Sequence, residues 1–333
     1  MERDTHILLA HGNGGRQMRE LIEEVFVRHL GNPALDPNAD AAALALPDQE
    51  VMVTTDGFTV DPLEFPGGNI GTLAVNGTVN DLAVAGADPH YLTLSCFIEE
   101  GFEIARLARL MASMGAAARS ANVRVVAGDT KVVRRGEGGG LYLCTTGIGT
   151  RQRGLSLGLN RIMQGDKILL SGPVGDHGTA ILLARGEFGL TGALQSDCAS
   201  VAPLCRALRN VEGLRFMRDP TRGGLATVAH EIVRCTGYGV RLVEKQILLR
   251  PQVESVCEML GYNPLYLACE GRVVAVVRPD AAPAALQAMR DLGEEAAQIG
   301  VIGEAGSMVV LETDLGGERL LEELDFDPLP RIC

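Results

Sequence analysis

Short β-branched runs alternate with longer amphipathic stretches twice along this chain, and a polar, glycine-rich segment at 150–166 separates the two rounds. In the first round "EVMVTTD" (50–56) reads as a strand, and "NIGTLAVNGTVNDLAVAGA" (69–87) as a helix with Leu73, Asn76, Asn80 and Val84 near one face. The stretch 103–121 reads as an amphipathic helix, followed by strands at "VRVVAGD" (123–129) and "LYLCTTGIG" (141–149). In the second round a strand at 167–172 precedes two helices that each open on a glycine-rich turn, at 175–186 and 218–233. Strands at 271–277 and 306–311 flank a helix at 281–293. This mixed order predicts α+β domains rather than one doubly wound sheet. A chain of 333 residues also exceeds what one core usually serves. The expected division is an N-terminal α+β domain over 1–152, a C-terminal α+β domain over 153–312 and a tail over 313–333.

The tail changes character. Residues 318–324 read as a short helix, and "DFDPLPRIC" follows without periodicity. Pro328 and Pro330 bias the chain towards extended conformations. Nine extended residues span roughly 30 Å, enough to cross a domain face. The expectation is a mobile arm that ends on Cys333.

A net charge of −12 argues against nucleic-acid or acidic-membrane partners, though not against nucleotides carried with metal ions. The first residues lack the pattern of a signal peptide, and runs such as "VVAVV" (273–277) fall far short of a membrane span. The expected compartment is the cytoplasm, where thiols stay reduced. None of the eight cysteines forms a C-x-x-C pair, and "HEIVR" (230–234) lacks the second histidine of a zinc motif. Cys96, Cys144 and Cys235 sit in apolar surroundings and read as core fillers.

Several aspartates occupy positions that burial alone would not choose. Asp56 and Asp129 end apolar strands, Asp81 interrupts an apolar helix, and Asp40 begins the run "DAAALAL". A carboxylate in an apolar stretch is costly unless paired or metal-bound, and oxygen-only donors favour magnesium, which carries nucleotide phosphates. Turn and capping roles account for each aspartate singly; the set together favours a metal–phosphate site. Lys131 is either a strand-end lysine or a group that stabilises developing charge. Glu270 is a surface glutamate or, if buried, a general base. His177 is a turn residue or a polar contact at an interdomain cleft. The glycine-rich "HGNGG" (11–15) and "GGNIG" (67–71) do not match a P-loop.

Taken in order, "TTDG", "NDLAVAGA", "GDTKVV", "GDHG", "RDPTRGG", "CEGRV" and the terminal "PRIC" resemble the hydrogenase maturation factor HypE family. That family lies in the superfamily of aminoimidazole ribonucleotide and selenophosphate synthetases. The resemblance implies a two-domain PurM-like (AIR synthetase-like) fold whose N-terminal sheets pair in a homodimer, with ATP in a groove near that interface. It implies a nucleotide site from Asp40, Asp56, Asn80, Asp81, Gly128, Asp129, Thr130 and Lys131, with magnesium on Asp40, Asp56, Asp81 and Asp129. In the catalytic set it places Cys333, Glu270 as base, Lys131 and His177. In the family the terminal cysteine takes a carbamoyl group from the carbamoyltransferase HypF, and ATP drives its dehydration to a thiocyanate. The cyano group then passes to iron on the HypC–HypD complex, for nickel–iron hydrogenase. "HGNGGRQM" (11–18) lacks the Cys/Lys pair of the selenium branch. Two other readings stand beside this one. One is a superfamily synthetase acting on a free small molecule; the other is a non-catalytic ATP-binding carrier or scaffold.

Overall fold

β-Branched residues at alternate positions build the first sheet, in a computed structural model that describes all residues except 1–4, 13–15, 37–41, 43, 187, 325–328 and 330. Two short helices, α1 (Arg16–Leu21) and α2 (Arg28–Leu30), flank a π-helical turn over Ile22–Val27. After β1 (Glu50–Phe58), a hairpin of β2 (Glu64–Phe65) and β3 (Gly68–Asn69) leads into α3 (Ile70–Val84). The domain is completed by β4 (Asp88–Glu99), α4 (Ile104–Ser120), β5 (Arg124–Val133) and β6 (Leu141–Arg151). The spatial order is β1-β6-β4-β5; β4 and β5 are parallel and need a crossover, which α4 supplies.

Asn69 starts α3 with a capping box. Its Oδ1 accepts from the backbone N–H of Gly71 and Thr72, and Thr72 Oγ1 accepts from its own N–H. α3 and α4 cover one face of the sheet at close range: a Cβ on Gly71 would lie 2.5 Å from the Leu110 carbonyl oxygen. The other face is bare. Val51 and Val53 are 49% and 63% exposed there, and Phe97 is 42% exposed. Asp56 and Asp129 do not end their strands as expected; β1 runs on to Phe58 and β5 to Val133.

The second half contains β7 (Lys167–Leu170), α5 (Asp176–Arg185), α6 (Ala202–Arg209), β8 (Leu214–Arg218) and α7 (Gly224–Thr236). There follow β9 (Tyr238–Val243), α8 (Pro251–Leu260), β10 (Val274–Val277), α9 (Ala282–Arg290), β11 (Ala297–Ala305), β12 (Val309–Glu312) and β13 (Glu318–Leu320). Their sheet has the order β13-β12-β9-β11-β7-β10-β8. Both faces are covered, which is why "VVAVV" reads as unbroken apolar residues rather than alternation. Val274 and Val276 pack with Leu225 and Ile232 of α7, whereas Ala275 and Val277 pack with Leu208 of α6 and Met289 of α9.

Two expectations need correction. Residues 318–324 form no helix; Glu318–Leu320 pairs with β12 as a hairpin, because the turn at Thr313–Gly317 folds the chain back. Cys235 is exposed rather than a core filler, at the solvent side of α7's last turn, and Cys144 is only half-buried. Cys96 is buried as expected. α3 also packs against α6 and β8, so a single apolar cluster runs from the first half into the second. Among the described residues, no helix is long and apolar enough to cross a membrane.

Candidate active site

Where the two halves meet, a cavity of about 360 Å³ holds the last residue of the chain. Its wall brings together Asp56 of β1, Asp81 of α3, Arg218 and Asp219 at the end of β8, Arg222 and Glu270, and Cys333 points into it. The terminus reaches this place along a built track. Leu329 and Ile332 are buried, and Ile332 joins the shared core. The Arg331 carbonyl accepts from the Asp61 N–H at 3.1 Å and from Arg185 Nη2 at 2.8 Å. The Cys333 main-chain carbonyl oxygen accepts from both the N–H and the hydroxyl of Thr59, at 3.0 and 3.1 Å. The final residues are therefore docked in this conformer. Residues 325–328 and 330 lie outside the described residues.

His177 serves that track. Its ring is fully buried at the start of α5, and Nε2 lies 2.8 Å from the Ile332 carbonyl. A carbonyl can only accept, so Nε2 carries the proton and Nδ1 accepts from the Ser196 hydroxyl at 2.8 Å. Burial drives the ring down to about 4, opposed by the Ile332 carbonyl, so it is neutral at ordinary pH. With both ring nitrogens engaged, the histidine holds the tail in place in this structure, the polar contact at an interdomain cleft that its sequence context allowed.

Cys333 Sγ receives a hydrogen bond from Arg222 Nη2 at 3.2 Å. Burial, then the nearby Glu270 carboxyl, pushes the thiol up to about 11 against the pull of Arg222. Glu270 is 2% exposed, and its Oε1 has no hydrogen-bond partner. Burial first, then Asp219, Asp197, Asp56 and Asp81, raises it well above the usual carboxylate range. Its backbone is pinned: the N–H donates to Asp197 Oδ1 at 3.0 Å and the carbonyl accepts from Asn80 Nδ2 at 3.2 Å. A buried, aimed and unpartnered carboxyl is costly to maintain and is poised to take or give a proton. Asp56 is raised by burial and then by Asp81; Asp81 is raised by burial, although Thr54 Oγ1 donates to it at 2.8 Å.

The expected site residues divide. Asp56, Asp81, Glu270 and Cys333 meet in this cavity. Asn80 does not face it; both its amide protons go to carbonyls, of Ala199 and Glu270, and its oxygen accepts from the Val201 N–H, so it is a structural clamp. Asp129 and Lys131 ion-pair with each other at 2.9 Å and lie at the β5 edge, the far edge of the sheet from β1. They share the bare face with their cross-strand partners Ser95 and Phe97, whereas Asp56 points to the helical side. The expected four-aspartate metal set is therefore not one site within one protomer. Asp40 lies outside the described residues, among which no group of three or more His, Cys, Asp or Glu side chains is arranged to hold a metal. Gly128, Asp129 and Thr130 line a separate, mostly apolar cavity of about 160 Å³ with Ile22, Phe26 and Leu94.

Asp219, Arg222 and Arg218 are charged members of the site that escaped the sequence reading. Asp219 is buried and raised to about 7 by burial and then by Asp81. Arg222 follows three residues later. All three belong to "RDPTRGG", where an aspartate ends a strand as Asp56 seemed to, and that repeated signal would have found Asp219.

Comparison with known proteins extends these observations. The family pattern "AIR synthase related protein, N-terminal domain" matches residues 38–151, and its C-terminal counterpart matches 163–311. "Carbamoyl dehydratase HypE" of Azotobacter vinelandii is 46% identical over 335 residues, covering 99% of this chain and 98% of that protein. The solved structure "Hydrogenase Maturation Protein HypE in complex with ATP" superposes with a TM-score of 0.93 at 44% identity, covering 98% of this chain and 99% of the other. A structure of a HypE–HypF complex superposes with a TM-score of 0.80 at 40% identity, over 91% of this chain and 99% of that one.

Proposed function

The chain belongs to the carbamoyl dehydratase HypE family of hydrogenase maturation proteins, and from that premise we propose that it dehydrates an S-carbamoyl group on its own Cys333 to a thiocyanate at the expense of ATP. The observation that carries this reading is the docked thiol itself. Cys333 Sγ stands in an interdomain cavity beside the unpartnered, proton-avid carboxyl of Glu270. A superfamily enzyme for a free small molecule has no use for a chain terminus fixed in its cavity, and a passive carrier has no use for an orphaned buried carboxyl.

The chemistry suits these groups. A carbamoyl oxygen is a poor leaving group until it is phosphorylated. As that oxygen attacks the γ-phosphorus, the bond to the ADP oxygen breaks and one N–H proton is lost, leaving an imidate phosphate on sulfur. Loss of the second N–H proton then supplies the electron pair of the C≡N bond as the C–O bond breaks and phosphate departs. Each proton needs an acceptor: Glu270, which lines the same cavity, takes the first in its ionised form, and that proton is handed on to phosphate or water before the second is taken. The all-oxygen pair Asp56 and Asp81 fits magnesium, which takes one or two protein carboxylates and completes its shell with phosphate and water. Magnesium held there would offset phosphate charge.

Of the nucleotide site proposed from Gly128, Asp129, Thr130 and Lys131, the two charged side chains, Asp129 and Lys131, lie on the opposite face of the sheet from this cavity and at its far edge. They join the reaction if two copies pair through the bare face that exposes Val51 and Val53. The carbamoyl donor proposed here is a HypF-type carbamoyltransferase, and the acceptor a HypC–HypD iron scaffold. Both meet the terminus only when it leaves its dock.

Intact and C-terminal-peptide mass spectrometry tests the reading. The S-carbamoylated protein given Mg-ATP loses one water, about 18 Da, at Cys333, with stoichiometric ADP. Cys333→Ala binds ATP but carries no group. ATP hydrolysis that leaves the carbamoyl mass in place rules the dehydratase out.

A further inference from the structure

We propose that Arg222 is a catalytic residue of the dehydration: its guanidinium holds the carbamoyl oxygen on Cys333 and takes up the charge that grows on that oxygen as phosphate leaves. The inference rests on the dehydratase reading and adds a residue to it. Arg222 Nη2 already touches Cys333 Sγ at 3.2 Å. The oxygen of an S-carbamoyl group is two bonds from that sulfur, so it comes within reach of the same planar fork.

The guanidinium also faces the other side of the reaction. It lines the same cavity as Asp56 and acts electrostatically on that carboxylate, drawing it down against burial and the Asp81 charge, so one cation is within range of both the thiol and the β1 carboxylate. Arg218, which also lines the cavity, pairs with Glu231, its Nη2 2.6 Å from Oε1. Among the described lining residues, the cavity otherwise presents Asp56, Asp81, Asp219, Glu231 and Glu270, an acidic wall that repels a phosphate unless cations face it.

The turn that carries Arg222 is built to fix it. Gly223 and Gly224 follow with φ of +74° and +60°, and a Cβ on Gly224 would lie 2.6 Å from the carbonyl oxygens of Leu265 and Leu267. Only glycine lets the turn press onto the 265–267 segment. One residue on, the Cys269 N–H donates to the Pro220 carbonyl at 3.0 Å, which ties the arginine's loop to the Glu270 loop. The loops of cation and base are thus linked through backbone, and both residues line the cavity that holds Cys333.

In the step proposed, Arg222 donates to the carbamoyl oxygen while that oxygen forms its bond to the γ-phosphorus and ADP leaves. It stays with the same oxygen when the C–O bond breaks, as the N–H pair becomes the third C–N bond and the proton goes to the base. A merely structural arginine would give none of this dependence.

The experiment uses full-length protein S-carbamoylated with cyanate, mixed with saturating Mg-ATP and followed by the mass of its C-terminal peptide. Arg222→Ala slows loss of water by about 100-fold or more, the usual cost of removing one donor from developing oxyanion charge. Arg222→Lys, which keeps the charge and is the variant safest for folding, falls between the two because it lacks the fork. Added guanidinium ion lifts the Arg222→Ala rate and leaves Arg222→Lys unchanged. Wild-type conversion in Arg222→Ala overturns the assignment, and so does a slow Arg222→Ala enzyme that guanidinium ion does not lift. If the wild-type protein itself hydrolyses ATP and keeps its carbamoyl mass, the dehydratase reading fails instead, and the two failures are told apart in one series.

Discussion

Two buried polar residues, Glu270 and Asn80, separate chemistry from support; the Asn80 side chain donates to the Glu270 backbone carbonyl. Glu270→Gln keeps the shape of the side chain and removes the proton acceptor. Conversion of the S-carbamoyl peptide should fall by roughly 100-fold or more while ATP binding by calorimetry is unchanged. Asn80→Ala should do the reverse. It strips three hydrogen bonds from buried backbone, of Ala199, Glu270 and Val201, and should cost about 2 kcal/mol in urea unfolding. Retained stability with lost ATP binding would return Asn80 to the nucleotide site. The sequence shows that both positions carry polar groups in apolar company; it does not show which one spends its hydrogen bonds. That depends on the irregular segment 196–201, whose Asp197 and Ala199 meet the site only through the fold. Asp56, Asp81 and Cys333 were legible because apolar context or terminal position marks them, whereas Glu270 was singled out as base by the family resemblance and not by its surroundings in the sequence. Arg222 was not, since an arginine in a glycine turn looks like any solvated cation until the thiol is beside it.

At the scale of elements, the terminal segment is irregular, lies against residues 59–61 and is fastened by side chains from α5. Periodicity identified α3, α4 and the sheet strands because their burial follows local spacing. It failed for Glu318–Leu320, where leucine and glutamate suit a helix and the hairpin wins through pairing with β12. It also had no means to see that the tail docks, because the donors come from Thr59, Asp61, His177 and Arg185, remote in sequence. Docking should be visible in thiol reactivity. The thiolate is the nucleophile, and burial in the dock raises the Cys333 thiol from near 9 to about 11. The sign follows directly: docking favours the protonated thiol, so its contribution is whole below pH 9 and is lost as pH rises towards 11. At pH 8 iodoacetamide should modify exposed Cys235 well before Cys333. His177→Ala removes the Ile332 contact and should speed Cys333 modification about tenfold, with the midpoint of its pH profile moving down towards 9. An unchanged rate and profile in that variant would mean that His177 does not hold the tail.

For the whole molecule, the decisive geometry is the separation of Lys131 from Cys333. Lys131 lies on the bare face at the β5 edge, and Asp56, which shares the cavity with Cys333, lies on the opposite face of the opposite edge strand. No side-chain rotation carries the lysine around a four-stranded sheet. A role for Lys131 in the reaction therefore requires a second copy of the chain, and a sheet with Val51, Val53 and Phe97 exposed on its uncovered face is the surface such a copy would cover. A complementation experiment decides it. Lys131→Ala and Cys333→Ala are each expected to be inactive in carbamoyl dehydration. After the two are unfolded together and refolded at equal amounts, half of the dimers are mixed, and each mixed dimer has one intact thiol facing one intact lysine. Turnover should recover to about one quarter of wild type, as counting sites in a two-fold dimer requires. If lysine and thiol worked within one protomer, every mixed dimer would carry one broken member at each site, and refolding would restore nothing. A Lys131→Ala protein that is fully active alone would remove the lysine from the chemistry and leave Arg222 as the cation that faces the reacting oxygen.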